Sequence, residues 1–295
     1  MHENEVLADP ELVRRLLAVQ MPQWAELPLS TAPLGGTDNA MYRLGEELVV
    51  RLPRIEWAVT AVEREREWLP ALAPLLPVEI PAPLAAGIPG DGYPWPWSVY
   101  RWLQGEDPSI RLEIDRDALL PGLVAFVRAM HRVELAGAPR ARSGGVQLAA
   151  LGERTRASIE ALEDTADRRA ALAAWEEALA LPRWSGPDVW VHDDLDARNL
   201  LVSDGRLRGV LDWSGAGIGD PAADLAVGWK VLSPAARERF RAELEVDDAT
   251  WARARARTLS QAVNALTYYT RETNPVLVRE AEQWLAAVLA APNRP

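Results

Sequence analysis

Residues 191–202 hold the side chains best suited to chemistry: Val191-His192-Asp193-Asp194-Leu195-Asp196-Ala197-Arg198-Asn199-Leu200-Leu201-Val202, of the form H-x-D-L-x-x-x-N between two strand-like runs. A further carboxylate, Asp212, follows at the end of the strand-like Gly209-Val210-Leu211-Asp212-Trp213. Moving a phosphoryl group off a nucleotide asks little covalent chemistry of a protein. One carboxylate must orient or deprotonate the attacking hydroxyl, and oxygen ligands must hold Mg²⁺ across the phosphates. Asp194 suits the first task. Asn199 and Asp212 suit the second, because Mg²⁺ prefers hard oxygen donors.

Composition narrows the alternatives. The chain has no cysteine, which excludes a disulfide framework, a thiol nucleophile and a cysteine-ligated zinc or iron–sulfur site. Its histidines, His2, His131 and His192, are too scattered to suggest a histidine-rich metal centre. A net charge of −11 argues against nucleic acid as a partner, since such binding neutralises phosphates with Lys and Arg. The same charge is compatible with a cationic small molecule. No apolar run reaches the ~18 residues of a membrane span, and the first twenty residues lack the pattern of a secretory signal. The expectation is a soluble cytoplasmic protein with no membrane partner. Among 32 basic residues Lys230 is the only lysine, so any role that demands a lysine has one candidate.

The elements that must position these groups can be read from pattern. Asp9-Pro10 has the form of a helix cap followed by proline at the first helical position, with Leu12, Val13, Leu16 and Leu17 on one face. A strand-like region lies around Leu27–Pro33. Two strands, Asn39–Leu44 and Leu48–Leu52, are joined by a tight turn at Gly45-Glu46-Glu47. Trp57–Leu69 is helical by spacing, with Pro70 closing it; Pro74–Pro83 is a connector, and Trp95–Leu103 is another strand. The polar stretch from Gln104 to Pro108 marks a domain boundary. Beyond it, helices are expected over 117–132, 153–180, 221–231, 234–244, 248–271 and 275–291. Short strands at Val189–Val191, Leu200–Val202 and Leu207–Leu211 interrupt them, the last two joined at Asp204-Gly205. A β-rich first third and a helical remainder give an α+β class.

Three motifs in order resemble the aminoglycoside phosphotransferase family, relatives of the protein kinases. The family's H-G-D-L-x-x-x-N stands here as His192 to Asn199, its I-D-[FW] as Leu211-Asp212-Trp213, and its G-D-P-x-x-D-L-A as Gly219 to Ala226. The resemblance implies a two-lobed protein-kinase-like fold. Its β-rich N-lobe, over 1–104, would hold the nucleotide-binding sheet and a helix; its mainly helical C-lobe, over 105–295, would hold the catalytic loop and the acceptor region. It also implies a Mg²⁺-dependent enzyme that moves the γ-phosphate of ATP or GTP to a small-molecule hydroxyl, first of all on an antibiotic such as an aminoglycoside, giving resistance. Macrolides, nucleoside antibiotics and metabolites such as choline or amino alcohols are the alternative acceptors. The oligomeric state stays open between monomer and dimer.

On the same resemblance, Gly35, Gly36, Thr37, Asp38 and Asn39 form the nucleotide loop, where glycine N–H groups can approach phosphate oxygens closely; a plain hairpin turn is the other reading. Arg51 stands where a kinase strand carries the phosphate-gripping lysine, and its planar fork can hold phosphate bidentately. Its carboxylate partner would be Glu65, with Glu63 and Glu67 as alternatives and a solvated charged face as the bland reading of that run. Trp97–Leu103 resembles the hinge strand whose backbone meets the purine, which nominates Tyr100, Arg101 and Leu103. By the family analogy His192 braces the metal-binding loop, while Asp220 and Asp224 are scaffold. The sequence departs from the family at Asp193, usually glycine, and at Arg198, often glycine. Lys230 lies after the metal motif and cannot grip the phosphates. Asn264, Tyr268, Tyr269 and Glu272, at helical spacings, either face the acceptor or pack.

Readings from other classes fare less well. There is no G-x-S-x-G nucleophile elbow and no G-x-x-x-x-G-K-[ST] loop. The missing strand lysine motivates a nucleotide-binding pseudokinase, but the retention of Asp194, Asn199 and Asp212 favours an enzyme.

Overall fold

In the computed structural model, which describes residues 6–32 and 39–291, Asp9 caps the first helix, α1 (Pro10–Gln20), by accepting the Leu12 N–H at 2.7 Å. The expected apolar face, Leu12, Val13, Leu16 and Leu17, is buried. Contacts divide the chain into two units: Met1–Gln104 with Gly209–Ser214, and Gly105–Arg208 with Gly215–Pro295.

The first unit is built on five strands, β1 (Leu29–Thr31), β2 (Asn39–Leu44), β3 (Leu48–Pro53), β4 (Pro83–Gly87) and β5 (Trp97–Arg101), in the order β1-β2-β3-β5-β4. Every neighbouring pair is antiparallel. Leu16, Leu17, Leu44, Val50, Leu52, Trp97 and Val99 form the centre of its core. Helix α2 runs Glu56–Leu72 and carries Pro70 inside it, so the proline does not end the helix where the sequence suggested. It removes one N–H donor in the last turn, and the burial of Leu69 and Leu72 on either side holds that turn in place. Strand β4 grows out of the expected connector. Its Pro-Leu-Ala-Ala-Gly composition has low strand propensity, yet it sits at the sheet edge, where proline is tolerated. The segment 209–214 joins this unit through a parallel bridge, with the Val210 N–H on the Glu79 carbonyl at 3.0 Å.

The second unit contains α3 (Leu120–Met130), α4 (Gly152–Glu160), α5 (Thr165–Leu179), α6 (Ala222–Leu225), α7 (Val227–Lys230), α8 (Pro234–Glu243), α9 (Asp248–Tyr268) and α10 (Pro275–Ala290). The single helix expected over 153–180 is two. Asp164 ends the first by capping the second, accepting the N–H groups of Ala166 and Asp167. Strand β6 (Val189–Val191) pairs antiparallel with β9 (Gly217–Gly219), and β7 (Leu200–Ser203) pairs with β8 (Arg206–Val210). The β7–β8 turn has φ of 51° at Asp204 and 68° at Gly205, the positive pair that a two-residue type I′ hairpin requires. Strand β9 has no sequence signature, because Gly-Ile-Gly is selected by close approach: a Cβ on Gly219 would stand 2.3 Å from the Gly144 carbonyl oxygen. Among the described residues no helix is long and apolar enough to cross a membrane.

Candidate functional site

The loop between β6 and β7 is held from behind by buried carboxylates. Asp224, on α6 and fully buried, accepts the N–H groups of His192 and Asp193, each at 3.0 Å. Burial pushes its carboxyl up to about 7 against the opposing pull of those two bonds and of Lys230. His192 is also fully buried, and its Nδ1 accepts the Asp194 N–H at 3.3 Å. Both residues therefore shape the loop.

Asp193 has a φ of 75°, the left-handed region that disfavours side chains, which is why glycine suits this position. The carboxylate offsets the strain by accepting the Ser143 N–H at 2.5 Å, the Ser143 hydroxyl at 2.7 Å and the Gly144 N–H at 2.6 Å. The same 143–146 segment is gripped by Arg257 of α9, which donates to the carbonyls of Ser143 (2.9 Å) and Val146 (2.8 Å). A second α9 arginine, Arg253, donates to buried Asp220 at 2.8 Å. Replacing Asp193 with alanine keeps the strain and removes the bonds, so we expect a loss of about 2–4 kcal/mol. Asp193→Gly should lose roughly 1 kcal/mol less, because the strain goes too. Urea unfolding midpoints of the two variants check the order; equal losses would mean that φ is not strained at this residue.

Asp194 emerges from this scaffold with its side chain 45% exposed. The Asn199 amide nitrogen donates to the Asp194 carbonyl at 2.8 Å and reaches its Oδ2 at 3.4 Å, which leaves the Asn199 Oδ1 as the hard oxygen a cation would use. Arg198 is engaged with Asp196, Nε on Oδ1 at 3.1 Å and Nη2 on Oδ2 at 2.5 Å. Asp196 in turn caps the 3₁₀ turn Ala197–Asn199. Arg198 thus stabilises the loop in place of the more usual glycine. The residue that sequence reasoning passed over is Lys230 at the end of α7: its Nζ lies 3.8 Å from Asp194 Oδ1. A single lysine kept in a chain otherwise confined to arginine was the available signal.

In the first unit, β3 and α2 bring Arg51 and Glu65 together. Arg51 Nη1 lies 2.7 Å from both Glu65 carboxylate oxygens, and the Tyr100 hydroxyl donates to Oε2 at 2.8 Å. Glu65 is 1% exposed, whereas Glu63 and Glu67 point outward; this separates the three candidates. Burial works to lower the Arg51 pKa, but the negative charge of Glu65, with a further contribution from Asp212, outweighs it and the net shift is upward. Burial, then Glu65, holds the Tyr100 hydroxyl well above its ordinary range. Tyr100, nominated for its backbone, therefore also anchors the ion pair through its side chain. Arg101 is exposed at the end of β5 and Leu103 is buried just beyond it. Asn39 opens β2 opposite Pro53. Gly35, Gly36, Thr37 and Asp38 lie outside the described residues.

Asp212 belongs to this first unit. It is held at a φ of 55°, with Oδ1 accepting the Ser214 N–H at 3.3 Å, and the adjacent Trp213 ring is buried with its indole N–H on the Val210 carbonyl at 2.9 Å. A non-glycine residue in this region stores strain of the kind found at functional sites. Among the described residues no three His, Cys, Asp or Glu side chains gather to form a metal site. Magnesium held largely by nucleotide phosphates and water needs only one or two protein oxygens, and the Asn199 amide and Asp212 carboxylate are the right kind.

Of the acceptor candidates, Asn264 is engaged between helices: it accepts the Ser158 hydroxyl at 2.8 Å and donates to the Ser260 hydroxyl at 3.3 Å. Tyr268 and Tyr269 pack edge to face with centroids 4.7 Å apart, Tyr268 exposed, and Glu272 is exposed.

Comparison with known proteins places these observations. A model of the "Phosphotransferase enzyme family" matches residues 30–259. An aminoglycoside 3′-phosphotransferase of Escherichia coli is 26% identical over 136 residues, 44% of this chain and 50% of that protein. The chain thus spans about half the length of the curated relatives it matches. Among solved structures, an APH(2″) enzyme in complex with GDP and kanamycin aligns with a TM-score of 0.72 at 21% identity, over 94% of this chain and 97% of the other. The macrolide 2′-phosphotransferase MphH from Brachybacterium faecium aligns with a TM-score of 0.63 at 24% identity, over 95% and 99%. The fold is the α+β, kinase-like one, with its sheet in the N-terminal region and its helices in the C-terminal region.

Proposed function

Because the chain belongs to the phosphotransferase enzyme family, we propose that it moves the γ-phosphate of ATP or GTP onto a hydroxyl of a small molecule. The observation that carries this reading is the 192–199 loop: a half-exposed carboxylate at Asp194, with Asn199 bonded to it and Asp224 and Asp193 pinning the backbone behind it. A binder alone has no use for an accessible base on so rigid a support.

In this reading the acceptor hydroxyl donates a hydrogen bond to Asp194. As its oxygen bonds to the γ-phosphorus and the bond to the bridging oxygen of the diphosphate breaks, Asp194 takes the proton. Arg51 bonds Glu65 through Nη1, leaving Nε and Nη2 for phosphate oxygens, and the Gly35–Asn39 segment adds backbone N–H groups. Mg²⁺, when bound, neutralises phosphate charge; Asn199 and Asp212 would hold it. The likeness to an enzyme solved with kanamycin and to a macrolide phosphotransferase supports an antibiotic acceptor, with aminoglycosides first and macrolides second. A cytoplasmic location goes with this reading, since nucleoside triphosphates are available there.

The test is a screen of aminoglycosides, macrolides, nucleoside antibiotics and amino alcohols with labelled ATP and GTP, read by the mass of the product. Phosphorylation of at least one hydroxyl acceptor is expected. Nucleotide binding without transfer to any of them would favour the pseudokinase. Within the same assay, Asp212→Asn removes one charged oxygen ligand. It is expected to raise the Mg²⁺ concentration for half-maximal activity by about tenfold or more, the scale on which even outer-shell partners of a metal act. An unchanged Mg²⁺ dependence would take Asp212 out of the metal site.

A further inference from the structure

We propose that Lys230 is a positioning residue that holds the Asp194 carboxylate in its working orientation, an inference that rests on Asp194 being the group that receives the acceptor hydroxyl. Lys230 ends α7 and is 4% exposed. Burying an ammonium is costly unless charge or a polar surrounding compensates it. The compensation here comes from Asp194, with Oδ1 at 3.8 Å, and from the Trp284 ring of α10, with its centroid at 5.0 Å; Asp224, raised by burial, also feels the lysine's charge, which pulls the other way. Lys230 is thus a fixed cation, walled in by α10 and aimed at one oxygen of a carboxylate that is itself half exposed.

The other oxygen is served separately. Asp194 Oδ2 faces the Asn199 amide nitrogen at 3.4 Å and the Arg198 Nη2 at 4.0 Å. With a cation on Oδ1 and an amide on Oδ2, rotation of the carboxylate about its Cβ–Cγ bond separates both pairs. The contacts on the Oδ2 side are a long amide contact and an arginine already paired with Asp196, so the cation on Oδ1 adds a separate restraint against that rotation. At 3.8 Å the Lys230 contact is an ion pair and falls outside hydrogen-bond range, so it orients the carboxylate without occupying the lone pair that receives the hydroxyl. A compact ammonium suits this geometry better than the planar fork of arginine, which works through paired hydrogen bonds. The chain uses arginine for every other cationic side chain and lysine here.

The experiment uses the full chain with ATP and kanamycin, or with the acceptor that the screen identifies, and compares wild type, Lys230→Met, Asp194→Asn and the double variant. Lys230→Met is expected to lower kcat about tenfold to a hundredfold, the scale of a misplaced catalytic group, while both KM values stay within about threefold. In the Asp194→Asn background the same change should matter less than about twofold, because interacting residues are non-additive. Lys230→Arg restores charge and should recover part of the loss. A full additive loss in the double variant, or wild-type kcat in Lys230→Met, would overturn the inference. Should Lys230→Met fail to show a cooperative urea transition, Lys230→Arg run through the same cycle decides. Absence of transfer by the wild type to any acceptor would sink the proposed function itself, whereas wild-type transfer with an indifferent Lys230 sinks this inference alone.

Discussion

Replacing Asp194 with alanine is expected to lower turnover by about 10²-fold or more, the usual contribution of a general base, with the nucleotide KM and the unfolding midpoint nearly unchanged. The expected separation of activity from stability comes from the way the loop is supported. The bond from the Asn199 side chain at 2.8 Å ends on the Asp194 carbonyl, which alanine retains. The backbone on either side is fixed by Asp224, Asp193 and Asp196, none of which depends on the Asp194 carboxylate. What the substitution removes is the proton acceptor, together with one partner of Lys230. Asp194→Asn divides the role further: it keeps an acceptor oxygen for the hydroxyl but lacks basicity. A loss in the asparagine variant as large as in alanine means that proton removal matters; a much smaller loss means that orientation is the larger part. Steady-state kcat beside a urea melt measures both, and near-wild-type turnover in Asp194→Ala would remove the residue from the mechanism.

How much of this was legible in the sequence depended on how far apart the partners lie. The loop was readable because its candidate residues are nearly contiguous, and Asp9 and Pro10 announce α1 within a single turn. Glu65 was readable in principle too, since it shares the helical stripe of Val62 and Leu69, which are buried, while Glu63 and Glu67 fall off it. The partners of Asp193 were not readable. Glycine at that position in related sequences points to a left-handed φ, but the Ser143–Gly144 segment that compensates the strain lies some fifty residues upstream. Lys230 lies too far along the chain to serve the phosphates, yet the fold returns it to Asp194 across three strands and two helices. The failures in secondary structure have one physical origin. Strands β4 and β9 exist because a neighbouring strand accepts their backbone, whatever their propensity, and Asp164 breaks a helix whose apolar spacing runs straight past it.

Replacing Arg51 with methionine is expected to damage both stability and nucleotide binding, and a second substitution should separate the two. Glu65 is 1% exposed, and with Arg51 gone its remaining partner of those seen here is the Tyr100 hydroxyl. Removing one member of a buried pair strands the other, so a loss of about 3–5 kcal/mol is expected in the single variant. In Arg51→Met/Glu65→Met the stranded charge is gone and apolar side chains fill the space, so most of the stability should return, as it commonly does when a whole buried pair is replaced. Nucleotide affinity should not return, because the donors at Nε and Nη2 are absent from both variants; an increase in ATP KM of about tenfold or more, one lost charge-assisted contact, is expected in each. Thermal or urea unfolding measures the first effect, and initial rates against ATP concentration measure the second. If the double variant recovers ATP affinity along with its stability, Arg51 is a brace for α2 and the phosphates are held elsewhere. If neither variant loses affinity beyond twofold, the arginine does not replace the strand lysine at all.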